Sequence, residues 1–173
     1  SVISGQSSTT STGGINLATA NAGDSGISGS LDFRSGTTSA GSSGSVMLAT
    51  GNAESGRSGD IMISSGRGVG DTGGHIRVSA GQSSSASGGS VSLSSGVGTS
   101  KSSGAVVFKS PNAGTAGVSG HLTFYSGTTS SGSSGAFAIS TGNANAGRSG
   151  SIMLSAGTAT GNTGGDVNVA AGG

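Results

Sequence analysis

The sequence has no cysteine, no tryptophan and a single proline, and only 8% of its 173 residues are charged. Each shortage closes off a class of protein. Without cysteine there are no disulfides and no thiolate metal sites, and cysteine usage says nothing about redox compartment. No apolar run approaches the roughly 18 residues of a membrane span, so membrane insertion is not expected. The opening residues carry no secretion signal, as in a mature piece of a longer exported protein. The formal net charge is +1, the basic residues Arg34, Arg57, Arg67, Arg77, Lys101, Lys109 and Arg148 are dispersed, and Tyr125 is the only tyrosine. That pattern supplies neither an electrostatic footprint nor a stacking platform for nucleic acid. Large apolar residues are also scarce: Val, Ile, Leu and Phe together number 29. At that share disorder competes with folding, although disorder normally brings a stronger net charge as well.

What the chain does have is a period. Glycines stand at Gly13, Gly29, Gly44, Gly59, Gly74, Gly89, Gly104, Gly120, Gly135, Gly150 and Gly165, spaced by 15 residues except for two gaps of 16. Counting each of these anchor glycines as position 0, position 2 is Ile15, Leu31, Val46, Ile61, Ile76, Val91, Val106, Leu122, Phe137, Ile152 or Val167. Position 4 is Leu17, Phe33, Leu48, Ile63, Val78, Leu93, Phe108, Phe124, Ile139, Leu154 or Val169. These two columns take 22 of the 29 large apolar residues, which a disordered chain has no reason to arrange. Alternation with period two predicts strands with one buried face. Position 6 is always Ala, Ser or Thr, and position 7 is usually glycine, where a corner calls for positive φ or close backbone approach. Seven or eight small polar residues complete each unit and offer almost nothing to fill a core.

The expected fold is therefore all-β: a β-solenoid, or parallel β-helix, with 15 residues per rung, drawn out as a thin, flattened coil. Residues 13–164 make ten full rungs, with partial rungs at 1–12 and 165–173, in one continuous array. A super-repeat of 91 residues lies over it, since Ser35–Gly44 recurs as Ser126–Gly135 with one change, Ala40 to Ser131. The two 16-residue units match each other at that offset. Both replace the corner glycine, by Ala20 and Pro111, which predicts an alternative turn that brings in Ile27 and Val118. Apolar burial alone does not offset the cost of ordering so much backbone, so hydrogen bonds between rungs have to contribute. With uncapped ends of unpaired backbone, the array is expected to continue in a longer repeat protein or to join end to end with its copies.

Catalytic and ligand-binding patterns are weak. The six acids fall at five different positions of the unit, so no carboxylate pair is assembled. Asp60 and His75 share position 1 of adjacent units and would lie about 4.8 Å apart in a stacked coil; a solvated surface pair is the expected reading. No phosphate-loop motif occurs. Gly73-Gly74, Gly88-Gly89 and Gly164-Gly165 lack the stacked aspartates of a calcium roll. No catalytic, metal or cofactor site is expected, and an enzyme of the pectate-lyase type is set aside because such coils are longer and carry an acidic cleft. Two surfaces remain. Met47, Met62, Val107 and Met153, at the outward position 3, form a candidate contact face between neighbouring chains. Asn112, Thr128, Asn143 and Thr158, beside Ser130, Asn145 and Thr160, form a candidate ice-binding face, interrupted by Glu54 and Arg67 in the equivalent earlier units.

Units such as Gly44-Ser45-Val46-Met47-Leu48-Ala49-Thr50-Gly51 and Gly164-Gly165-Asp166-Val167-Asn168-Val169-Ala170-Ala171-Gly172 resemble the Gly/Ser-rich repeats of surface proteins predicted in algae and other aquatic protists, and those of some phage fibre proteins. The resemblance is periodic and covers the whole chain. It implies an extracellular, cell-surface or virion-fibre setting and carries over no functional residue. The expected function is a structural module of an extracellular fibre, sheath or adhesive surface. Its expected partners are its own copies or other matrix components, and the alternative is an ice-binding solenoid.

Overall fold

A computed structural model describes residues 1–8 and 11–172. The expected solenoid is not formed. Among the described residues there is no strand, no sheet and no helix, so the rungs of a parallel β-helix are absent. What repeats instead is a pattern of segments and sharp bends. The bends fall at residues 39–41, 54–56, 69–71, 84–86 and 99–101, then at 115–117, 130–132, 145–147 and 160–162. Each occupies positions 10–12 of its unit, and positions 11–13 in the 16-residue unit that starts at Gly104. The extra residue of that unit therefore enters ahead of the loop apex.

The reason no coil forms lies in where the backbone groups are paired. In a coil of 15-residue rungs, each anchor glycine would lie against the anchor of the preceding rung. Here, at four of the eleven anchors, the amide instead reaches back only eight residues, to the carbonyl at position 7 of the unit before. Gly89 N–H donates to the Gly81 carbonyl at 2.9 Å, Gly104 to Gly96 at 2.9 Å, Gly165 to Gly157 at 3.1 Å, and Gly74 to Gly66 at 3.5 Å. Each bond closes the neck of a short loop, and among the described residues the segments beyond the necks are joined by no backbone ladder. The hydrogen bonds a stacked coil needs to offset its ordering entropy are thus not made.

The same necks explain position 6. A Cβ built on an anchor glycine would meet the position-6 side chain of the preceding unit: Ser65 at 3.1 Å from Gly74, Ala80 at 3.4 Å from Gly89, Ser95 at 3.4 Å from Gly104 and Ala156 at 3.5 Å from Gly165. Where position 6 carries a hydroxyl it can add a bond: Ser65 Oγ donates to the Gly74 carbonyl at 2.8 Å, and Thr19 Oγ1 to that of Gly29 at 3.1 Å. Close approach therefore occurs at the anchor glycine. The corner glycines at position 7, such as Gly51 and Gly142, have open space around a Cβ and no positive φ, contrary to expectation. Positive φ belongs to the loop apex, at Gly41 and its super-repeat equivalent Gly132, with φ of 110° and 114°.

Loop contacts repeat with the 91-residue offset. Thr38 Oγ1 donates to the Ala40 carbonyl at 3.0 Å, and Thr129 Oγ1 to that of Ser131 at 3.1 Å. Asp71 and Asn162 each accept a bond from the next amide, at 2.7 and 2.9 Å. These are local side-chain turns of the kind short polar residues favour. By proximity the chain divides into two units, Ser1–Ser90 and Val91–Gly173, each close to one super-repeat in length.

No residue among those described is buried, hydrophobic or polar. The chain exposes 17000 Å², where a compact chain of this mass exposes about 7,300 Å² and a fully extended one about 23,000 Å². The most sheltered places are small: Ser4, Ser7, Ser35, Gly98 and Ser110 are half-buried, Ser35 and Ser110 being at position 6. Around Gly98 the loop is tight enough that a Cβ would lie 2.5 Å from the carbonyl oxygens of Lys101 and Ser102.

Candidate interaction surface

With no core, the chemistry of the molecule is the chemistry of its segment faces. Side-chain exposure follows the parity of position. Position-2 residues are between 48% and 64% exposed, whereas Met47, Met62 and Met153, one place along at position 3, are each 86% exposed. Position 4 runs from 55% at Phe108 to 86% at Val169 and overlaps position 3, where Val107 is 73% exposed. Partial shelter on alternate residues places positions 0, 2, 4 and 6 on one face of a segment and 1, 3 and 5 on the other.

Contacts across the necks agree with that division. Position 6 meets position 0 of the next unit, as described above. Phe124, at position 4, stacks on Phe137, at position 2 of the next unit, with ring centroids 6.2 Å apart and an interplanar angle of 22°. Both pairings have positions adding to six, the relation expected where a chain doubles back on itself. Phe124 also meets Phe108 of the unit before, edge-on at 6.4 Å and 78°. Such aromatic pairs contribute about 0.5–1.5 kcal/mol each. The three rings make a continuous apolar strip within Val91–Gly173, and it is open to solvent on its outer side.

Charge divides between the faces in the same way. Every charged residue within a segment stands at an odd position: Asp32, Arg34, Asp60, Arg77, Lys109 and Asp166, with His75 and His121 also at position 1. The remaining charges lie in the loops. Asp32 and Arg34, two residues apart on the odd face, approach to 3.5 Å, and Asp60 accepts a 2.7 Å bond from Arg57. All four side chains are well exposed, so each pair contributes little to stability. The even face carries only Gly, Val, Ile, Leu, Phe, Ala, Ser and Thr. The period-two pattern located this face in the sequence; the confinement of segment charge to the other face is a separate signal in the same residues.

The other candidate residues are placed as follows. Met47, Met62, Val107 and Met153 stand exposed on the odd face, in the company of the charges. Asn112, Thr128, Asn143 and Thr158 occupy position 8, just past the neck, and Ser130, Asn145 and Thr160 begin the bend at position 10, so the candidate ice face is distributed over separate loops. Asp60 and His75 form no ion pair; the Asp60 carboxylate is turned to Arg57 instead. Ile27 and Val118, expected to join the apolar columns, are among the most exposed side chains of all, at 99% and 93%. Among the described residues no group of three or more His, Asp or Glu converges as a metal site, no cavity is enclosed, and no helix is long and apolar enough to cross a membrane. Comparison with family models, with curated proteins and with solved structures gives no match.

Proposed function

We propose that this chain is a structural module of an extracellular fibre, sheath or adhesive surface, working through many copies of one weak contact. The observation that supports this most is the charge-free even face, repeated unit after unit with its apolar columns open to solvent. Exposed apolar surface in this amount is characteristic of association surfaces. Repetition multiplies it: contacts too weak to hold singly become strong when linked in one chain at matched spacing. The stiffness expected of a stacked coil does not carry over to this reading; the repetition does. The resemblance to Gly/Ser-rich surface and fibre repeats points to the same setting, outside the cell.

Sedimentation velocity over a wide range of protein concentration tests the reading. The average mass should rise steadily with concentration, by successive addition of chains, in buffer without ligands or metals. A single species of monomer mass at every concentration, up to the solubility limit, would remove the proposal.

A further inference from the structure

We infer that the even face is the binding site for a second copy of this chain, which packs its own even face against it. The inference rests on the associative function proposed above and assigns that function to one surface and one partner. Sequence periodicity had singled out the odd-face residues Met47, Met62, Val107 and Met153 as the contact and had assigned the columns to an internal core. Among the described residues no internal core exists, and the columns are the larger exposed apolar surface.

Area favours the even face. Val91–Gly173 alone carries twelve column residues, from Val91 and Leu93 to Val167 and Val169. At the exposures observed, about half or more of each residue, they offer on the order of 1,200 Å² of mainly apolar surface, with full side chains taken at about 150–200 Å². A stable protein–protein interface needs about 800 Å² from each partner. The four odd-face residues offer much less and are spread over four different units.

Charge and spacing identify the occupant. A partner with a charged surface would gain nothing from a face that holds no charge, and its own charges would be desolvated without compensation. An identical face brings no charge at all. It also brings its columns at the same repeat spacing, so that a pairing in step or shifted by whole units aligns every column it covers, and a shifted pairing leaves part of each face open to a further chain. The odd faces, with Asp32, Arg34, Asp60, Arg77, Lys109 and Asp166, then remain toward water on both sides.

The test compares two double variants of the full chain that add the same two charges on opposite faces. Leu122→Asp with Ile152→Asp alters the even face; Thr123→Asp with Met153→Asp alters the odd face one residue away. In sedimentation equilibrium the even-face variant should need about 100-fold more protein to reach half association, and the odd-face variant less than about threefold more. Because no core is disturbed in either variant, loss of association cannot be put down to unfolding. Vesicles of phosphatidylcholine, mixed with the unaltered chain, serve as the competing apolar surface. Equal effects of the two variants, or a larger effect of the odd-face pair, would overturn the inference while leaving the associative function standing. Binding to the vesicles without self-association would overturn both. An unaltered chain that stays monomeric and ignores vesicles would count against the function itself.

Discussion

At high dilution the chain should show a far-ultraviolet circular dichroism spectrum without a β-sheet minimum, and almost all of its amides should exchange with solvent at close to the rates of an unstructured peptide. Slow exchange needs a bonded amide that opens rarely, and the protection measured is the free energy of that opening. Among the described residues the backbone bonds outside local turns are those at the necks, from Gly74, Gly89, Gly104 and Gly165. Each is exposed and stands without a ladder beside it. A bond of that kind contributes about 0.5–1.5 kcal/mol net, which slows exchange by roughly tenfold or less. The expected picture is therefore four glycine amides with slight protection in a chain otherwise nearly unprotected. Hydrogen exchange followed by nuclear magnetic resonance checks it residue by residue. Contiguous protection over Val46–Thr50 and its equivalents, by a thousandfold or more, would contradict the open arrangement.

Association should then carry a large negative heat-capacity change. If two even faces of Val91–Gly173 come together, on the order of 2,400 Å² of mainly apolar surface leaves water. At about 0.45 cal/mol/K for each Å² of apolar surface, the change is roughly −1 kcal/mol/K per pair. Dilution calorimetry at several temperatures measures it directly. The same physics sets the response to conditions: contact driven by apolar burial weakens on cooling and strengthens in sulfate. An interaction through the odd face would behave differently, because Arg77, Lys109, Asp60 and Asp166 respond to ionic strength over a distance of about 10 Å at 0.1 M salt. Association abolished by moderate sodium chloride, with little heat-capacity change, would assign the contact to the charged face.

The sequence made some levels of this organisation legible and hid others. Which residues share a face could be read from Ile61 and Ile63 flanking Met62, because alternation is a property of neighbouring residues. The position of the bends was not: the corner expected at the position-7 glycine falls instead at positions 10–12. How one unit meets the next was not legible either. Phe124 at position 4 fits equally a parallel stack, beside Phe108, and a doubling back, beside Phe137; periodicity is the same in both. The deciding contacts are made by Gly74, Gly89 and Gly104 with the position-6 residues before them. A column of glycine and a column of Ala, Ser and Thr read as turn and filler, with no large side chain to mark them as partners. The step from shared face to buried core failed for the same reason: the polar half of each unit offered nothing to cover the columns, and among the described residues nothing does. The candidate ice face on Thr128, Asn143 and Thr158 was drawn from a stacked array, and loops at separate necks do not supply that plane.

Whether the column side chains meet solvent in the single chain is reported directly by their methyl groups. Solvent paramagnetic relaxation of the methyls of Ile61 and Met62, adjacent in sequence and on opposite faces, should be recorded from high dilution to concentrations where chains associate. The account predicts that both are reached by the probe at dilution, Ile61 somewhat less than Met62, and that rising concentration shields Ile61 while Met62 stays open. An Ile61 methyl already shielded at dilution, with no further change on concentration, would mean that the single chain buries its columns and would contradict the account.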